Sequence, residues 1–269
     1  MLARVIQSIL ILCSATFLYL TWESDESYVW FLLGSVAGLV MAYLLAPQIN
    51  WIWYHFYPPD LHPPLRHMLT TRCLFYQKLP AEEKTRFRQR MAMFMEAQEF
   101  MEKGMDSVPM DVKGVIAASA VQVTFGRDEF LMGRFEQVVV YPHPFPSPTY
   151  PEKWHASELF EEDGVLLFSA EQLMASFFQP ERYFHLGLYE YAKAFRLTKR
   201  EVVFPEFQWE KLEQASGFSR EHLEKWVGLP DLDAAAVAAA HFYVFPRKFK
   251  AVMPDEYEKL AEIFRQRPA

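Results

Sequence analysis

The chain has 269 residues, with 27 Lys and Arg against 34 Asp and Glu and a formal charge of −7. That length suits one or two domains with a sizeable core. The acidic balance argues against a nucleic-acid binder, which would present basic patches. Two cysteines, Cys13 and Cys73, exclude a disulfide scaffold and a cysteine-rich zinc module.

Val5 to Trp22 holds 18 residues and Tyr28 to Ala46 another 19, neither with a charge. Each approaches the roughly 20 residues that a helix needs to cross the hydrocarbon core of a bilayer. The acidic turn Glu23-Ser24-Asp25-Glu26-Ser27 between them permits only an antiparallel arrangement. Residues 1–57 therefore read as a two-helix transmembrane hairpin with spans over about 5–22 and 28–46. A signal peptide is the rival reading of the first span, but Tyr19-Leu20-Thr21-Trp22 is a poor cleavage site. Arg4, Arg66 and Arg72 lie outside the spans and the turn has no Lys or Arg, which favours both chain ends in the cytoplasm. Trp51, Trp53, Tyr54, Phe56 and Tyr57 suit a headgroup layer. Gly34, Gly38 and Ala42 form a small-residue stripe for helix packing, with the first span as nearest partner.

Pro58-Pro59 and Pro63-Pro64 predict an extended linker over 58–68. One mixed domain follows over 69–269. Its first predicted helix runs from Pro80 to Glu102, with Glu82 and Glu83 in the opening turn and Gly104 as the stop. A second, small-centred helix covers Val112 to Phe125, with Gly126 as C-cap. Phe135–Tyr141 and Val165–Phe168 read as strands. Ser169 and Gln172 have capping-box spacing for a helix through Phe178. Helices follow over Glu181–Leu197, Glu206–Gln214, Arg220–Val227, Ala234–Phe245 and Asp255–Arg265. The pattern is α+β and mostly helical.

The sequence has no G-x-S-x-G, no C-x-x-C and no phosphate-binding glycine loop. His143, His155, His185, His222 and His241 are scattered without a His-x-x-x-His pair, and read as solvated or singly hydrogen-bonded. Glu161-Glu162-Asp163 reads as a solvated turn. The informative segment surrounds Leu188, Tyr191, Ala192 and Phe195, a buried helical stripe. Tyr189 and Lys193 stand four apart with Glu190 between them. Histidines at those two positions would make H-E-x-x-H, in which two imidazoles one turn apart hold zinc and the glutamate activates its water.

The resemblance extends beyond that pentad. The strand ending Val139-Val140-Tyr141-Pro142, the stretch Asp163-Gly164-Val165-Leu166-Leu167-Phe168-Ser169, the helix Leu186 to Phe195 and the run Ala236 to Pro246 follow in an order that resembles the Mlc titration factor A family of zinc metallopeptidases. The resemblance covers about three quarters of the chain, from Leu69 onward. It implies a zincin-like metallopeptidase domain behind the transmembrane hairpin. It places the family's zinc ligands at Tyr189, Lys193 and Ala240, and its catalytic glutamate at Glu190. A phenol with an ordinary pKa of about 10 is a poor ligand at neutral pH, an ammonium repels a cation, and alanine has no donor. The expectation is a lost zinc site, with no metal and no cofactor. Glu190 and Lys193, three apart, are expected to pair.

The resulting reading is a catalytically inactive, membrane-anchored pseudopeptidase of the bacterial inner membrane, its domain in the cytoplasm. It would act as scaffold, accessory subunit or regulator. Its partners would be the membrane, other integral membrane proteins and a protein segment held in the inactive cleft, and not nucleic acid. The alternative is an active zinc-dependent peptidase with relocated ligands, drawing on Glu190, His185 and His241. A third reading makes the hairpin the functional part, with the domain as a cap.

Overall fold

A computed structural model describes residues 2–268, and the chain divides into two compact units between Pro59 and Asp60. In the first unit, α1 (Leu2–Glu23) and α2 (Val29–Leu44) are joined by a short 3-10 turn, Glu26–Tyr28. Asp25 caps that turn by accepting from the Ser27 N–H at 2.9 Å. Leu2–Glu23 and Glu26–Leu44 are long and apolar enough to cross a membrane.

Three polar or small positions on α2 face α1. The Ser14 and Ser35 hydroxyls meet at 2.9 Å. A Cβ on Gly38 would lie 3.5 Å from Leu10. The Gln7 side chain donates to the Ala42 carbonyl at 3.2 Å. The seam is therefore Ser35, Gly38 and Ala42, and Gly34 is not part of it, since nothing lies within 4 Å of where its Cβ would sit. One residue of helix turns a side chain by about 100°, which carries Gly34 off the contact line.

The second span ends at Leu44, and residues expected to trail from it form another helix, α3 (Ala46–Phe56). Pro47 falls in its first turn, where a missing N–H costs nothing. Trp53 stacks on Tyr57 at 4.2 Å, and Asn50 accepts from the Ala3 N–H at 3.0 Å.

The second unit begins with a correction to the linker. Pro63 and Pro64 open α4 (Pro63–Arg72) instead of extending the chain, because proline is tolerated in a first turn. Leu65, Met68 and Leu69 bury that helix in the core. Next come α5 (Leu74–Lys78) and α6 (Ala81–Ala97). The predicted helix to Glu102 stops early, because β1 (Glu99–Glu102) pairs in parallel with β2 (Gln137–Tyr141). Between them lies α7 (Met110–Thr124), buried along nearly its whole length.

Strands β3 (Ser157–Phe160) and β4 (Val165–Ser169) form a hairpin through Glu161–Gly164. Gly164 has φ +67°, a conformation that favours glycine. The sheet order is β1-β2-β4-β3; the first three run parallel and β3 is an antiparallel edge. Helix α8 (Ala170–Phe178) follows directly. Ser169 donates to the Gln172 side chain and makes no side-chain cap to the backbone, so the capping box does not form.

Helix α9 (Leu186–Thr198) starts five residues later than expected, after a turn near Glu181–Tyr183. The remaining helices are α10 (Trp209–Ser216), α11 (Arg220–Val227), α12 (Ala234–Val244), α13 (Pro246–Val252) and α14 (Pro254–Phe264). Gly126 is not a left-handed cap. A Cβ there would strike the Arg265 carbonyl at 2.3 Å, so glycine serves a close backbone approach. Helix α9 packs against α7, α8, α12 and β3, and so runs through the middle of the unit. The architecture is mostly helical with one small mixed sheet.

Candidate functional site

Helix α9 carries Tyr189, Glu190 and Lys193. Gly187, at its second position, lets it press onto α7: a Cβ there would meet the Ser119 hydroxyl at 2.3 Å. His185 caps the helix, its Nδ1 accepting from the Leu188 N–H at 3.2 Å. Glu190 is 0% exposed and both its oxygens are engaged. Oε1 accepts from the Ser157 hydroxyl of β3 at 2.8 Å, and Oε2 accepts from Lys193 Nζ at 2.8 Å. The carboxylate thus ties the edge strand to the central helix. The Lys193 side chain keeps 22% of its surface exposed, and its ammonium lies 5.0 Å from the centre of the Tyr189 ring.

Tyr189 is buried and its hydroxyl accepts from the Asp233 N–H at 3.2 Å. Asp233 in turn caps α12 by accepting from Ala235 and Ala236, and pairs with Arg196. Burial pushes the Tyr189 phenol up to about 12, with Lys193 opposing. Burial works against the Lys193 ammonium, but Glu190, Tyr189 and Asp233 outweigh it and the net shift is upward. Ala240 is fully buried on α12, which packs against α9.

The histidines divide differently from the expectation. His143 is exposed beside Glu171 at 2.8 Å, and His222 stacks on Phe218. His155, His185 and His241 are buried; His185, with its single bond to Leu188, meets the expectation, and the other two do not. His155 sits between the Lys153 carbonyl at 2.9 Å and Glu158 at 3.1 Å. His241 lies among the rings of Phe184, Phe218 and Phe245, and neither ring nitrogen has a hydrogen-bond partner. Glu161 forms ion pairs with Arg134 and Arg200.

Two contributors to this site escaped the sequence reading. Ser157 lies on a four-residue strand with no alternation to betray it. Asp233 was missed although an aspartate before a run of alanines is a helix-start signal, and its contact with Tyr189 leaves no such signal.

Among known families, the profile of the glucose-regulated metallo-peptidase M90 family matches residues 55–195, just over half of the chain. The chain belongs to the M90 family. The match begins ahead of Leu69, takes in Tyr189, Glu190 and Lys193, and stops short of Ala240. No curated protein matches the sequence significantly.

An M90 peptidase implies zinc, so the donor set of this member decides whether the metal fits. A catalytic zinc takes three deprotonated protein ligands. Tyr189 holds its proton far above neutral pH and spends its oxygen on a backbone N–H. Lys193 is an ammonium bonded to the carboxylate. Ala240 offers no lone pair. Among the described residues, no group of three or more His, Cys, Asp or Glu stands close enough to hold a metal. These residues do not fit a catalytic zinc.

Proposed function

We propose that this M90 family member is a membrane-anchored pseudopeptidase, a binding subunit or regulator in a membrane protein complex. The observation that carries the reading is the Glu190 carboxylate. By the family resemblance it stands where the catalytic base would be, and it is sealed from solvent and held by Lys193 and Ser157. A general base must reach a water or substrate within hydrogen-bond distance. Lys193 supplies a fixed positive charge where the family places its metal, which keeps the fold electrostatically balanced without a cation. A protein segment captured at this face would meet Lys193 at the rim and not the carboxylate beneath.

The two N-terminal apolar helices support anchoring in the bacterial inner membrane. Arg4, together with a connecting turn that has no Lys or Arg, supports a cytoplasmic domain. The relocated-ligand alternative has less support: His185 Nδ1 is committed to capping α9, and His241 is enclosed by aromatic rings.

The test is metal content and peptidase activity of the full chain purified in mild detergent, alongside Glu190→Gln. Substoichiometric zinc and no Glu190-dependent hydrolysis are expected. Stoichiometric zinc together with activity that the Gln variant loses would overturn the reading.

A further inference from the structure

A cavity of about 210 Å³ opens beside α4, α5 and α8, on a different face of α9 from the ion pair. Leu188 lines it and Lys193 lies elsewhere. Five residues of helix separate the two by about 140°. This cavity therefore owes nothing to the Glu190–Lys193 site, and a ligand could occupy it whether or not the domain is a peptidase.

Its lining combines apolar and basic side chains. Phe177 and Leu188 are buried in the lining. Cys73, its thiol pushed up to about 11 by burial, adds a neutral wall. Arg72, Lys78 and Arg267 also line the cavity, against one carboxylate, Glu83. Such an excess of cations is notable in a chain of net charge −7. Glu83 is already engaged by Arg86 at 3.9 Å, and Arg267 by Glu258 at 3.0 Å. Arg72 is exposed, lies 5.8 Å from the Phe178 ring centre, and has no carboxylate partner among the described residues.

His185 gives the cavity a directed donor. It is only 6% exposed and lines the cavity. Burial lowers it to about 4, so the ring is neutral at pH 7 and carries one proton. Its Nδ1 accepts from the Leu188 N–H, so that proton sits on Nε2. The ring can offer that proton to a ligand in the cavity it lines.

We propose that this cavity binds a small organic carboxylate with a compact apolar body. His185 Nε2–H and the Arg72 guanidinium take the carboxylate, and Phe177 and Leu188 cover the body. The volume falls below the roughly 300–1,000 Å³ of pockets for drug-sized ligands, so the occupant is of benzoate size.

The experiment is ligand-observed NMR titration of the full chain in mild detergent, with benzoate as probe and benzamide as its uncharged match. Saturable benzoate binding is expected, with benzamide weaker by about tenfold or more, because ionised acceptors make the stronger hydrogen bonds. Arg72→Glu should weaken benzoate by about tenfold and leave thermal unfolding unchanged, since Arg72 is exposed. His185→Asn keeps a good helix cap and should weaken benzoate comparably. Benzamide binding as tightly as benzoate, no saturation, or benzoate affinity unmoved by Arg72→Glu would each overturn the proposal. If His185→Asn fails to fold, Arg72→Glu and the benzamide comparison decide.

Discussion

Ser157 and Lys193 hold Glu190 from opposite sides, each at 2.8 Å, one from the edge strand and one from the same helix. The pair is a support of the fold. Breaking a buried ion pair from one side strands a charge. Lys193→Met should therefore destabilise the domain by about 3 kcal/mol, read as a lower urea midpoint. The double variant Glu190→Gln/Lys193→Met should recover most of that loss, because no charge remains buried. Additive losses in the double variant would show that the two residues act separately.

Stability should fall on acidification below about pH 6.5. His185 and His241 are lowered by burial to about 4 and about 3 from an ordinary 6.5. Between those values the unfolded chain binds protons that the folded chain refuses, so folding weakens as pH drops through that window. The loss is on the order of 3 kcal/mol or more per histidine. His241→Leu should remove its share and raise stability at pH 7 by about 1 kcal/mol, because two unpartnered ring nitrogens leave the core. Melting temperatures from pH 7 to 4 check both effects. A wild-type melting temperature that is flat across this range would contradict the burial of the two rings.

The alkaline limb follows the opposite sign. Tyr189 is raised to about 12 from 10, so its contribution is complete below pH 10 and is lost as pH rises towards 12. Tyr189→Phe should remove its share of that limb in a melting series from pH 9 to 12, the rest coming from Cys73, Tyr191 and Tyr243, which burial also raises.

The α1–α2 seam predicts a cross-link. The Ser14 and Ser35 oxygens meet at 2.9 Å, so a Ser14→Cys/Ser35→Cys chain with Cys13→Ser should oxidise readily within one molecule. Moving the second cysteine to Gly34, which lies off the seam, should abolish the band shift.

Glycines separate in the same way. Gly187→Ala drives a methyl into Ser119 and should cost about 1–3 kcal/mol. Gly34→Ala meets open space and should change helix pairing little. Urea midpoints for the first and cross-linking yield for the second read the contrast.

The elements with a strong local period were legible. Arg220–Val227 matches its predicted bounds, and α7 and α12 fall within two residues of theirs. The failures have local causes. Pro63 and Pro64 looked like breakers, yet a first helical turn accepts both. β1 and β3 are four residues each and owe their form to pairing with β2 and β4 rather than to their own residues. At the site, Tyr189, Glu190, Lys193 and Ala240 came from a spacing and a resemblance. The clasp from Ser157 and the anchor from Asp233 depend on tertiary contacts that no single stretch of sequence contains. Burial of His155, His185 and His241 was invisible for the same reason.

Helix α9 is enclosed from Leu186 through Ala192, with Ala194 and Phe195 also buried. A helix in that position can open to solvent only when its neighbours part, so its amide protons should be among the slowest in the domain to exchange with deuterium. Exchange along it should proceed at the rate of global unfolding.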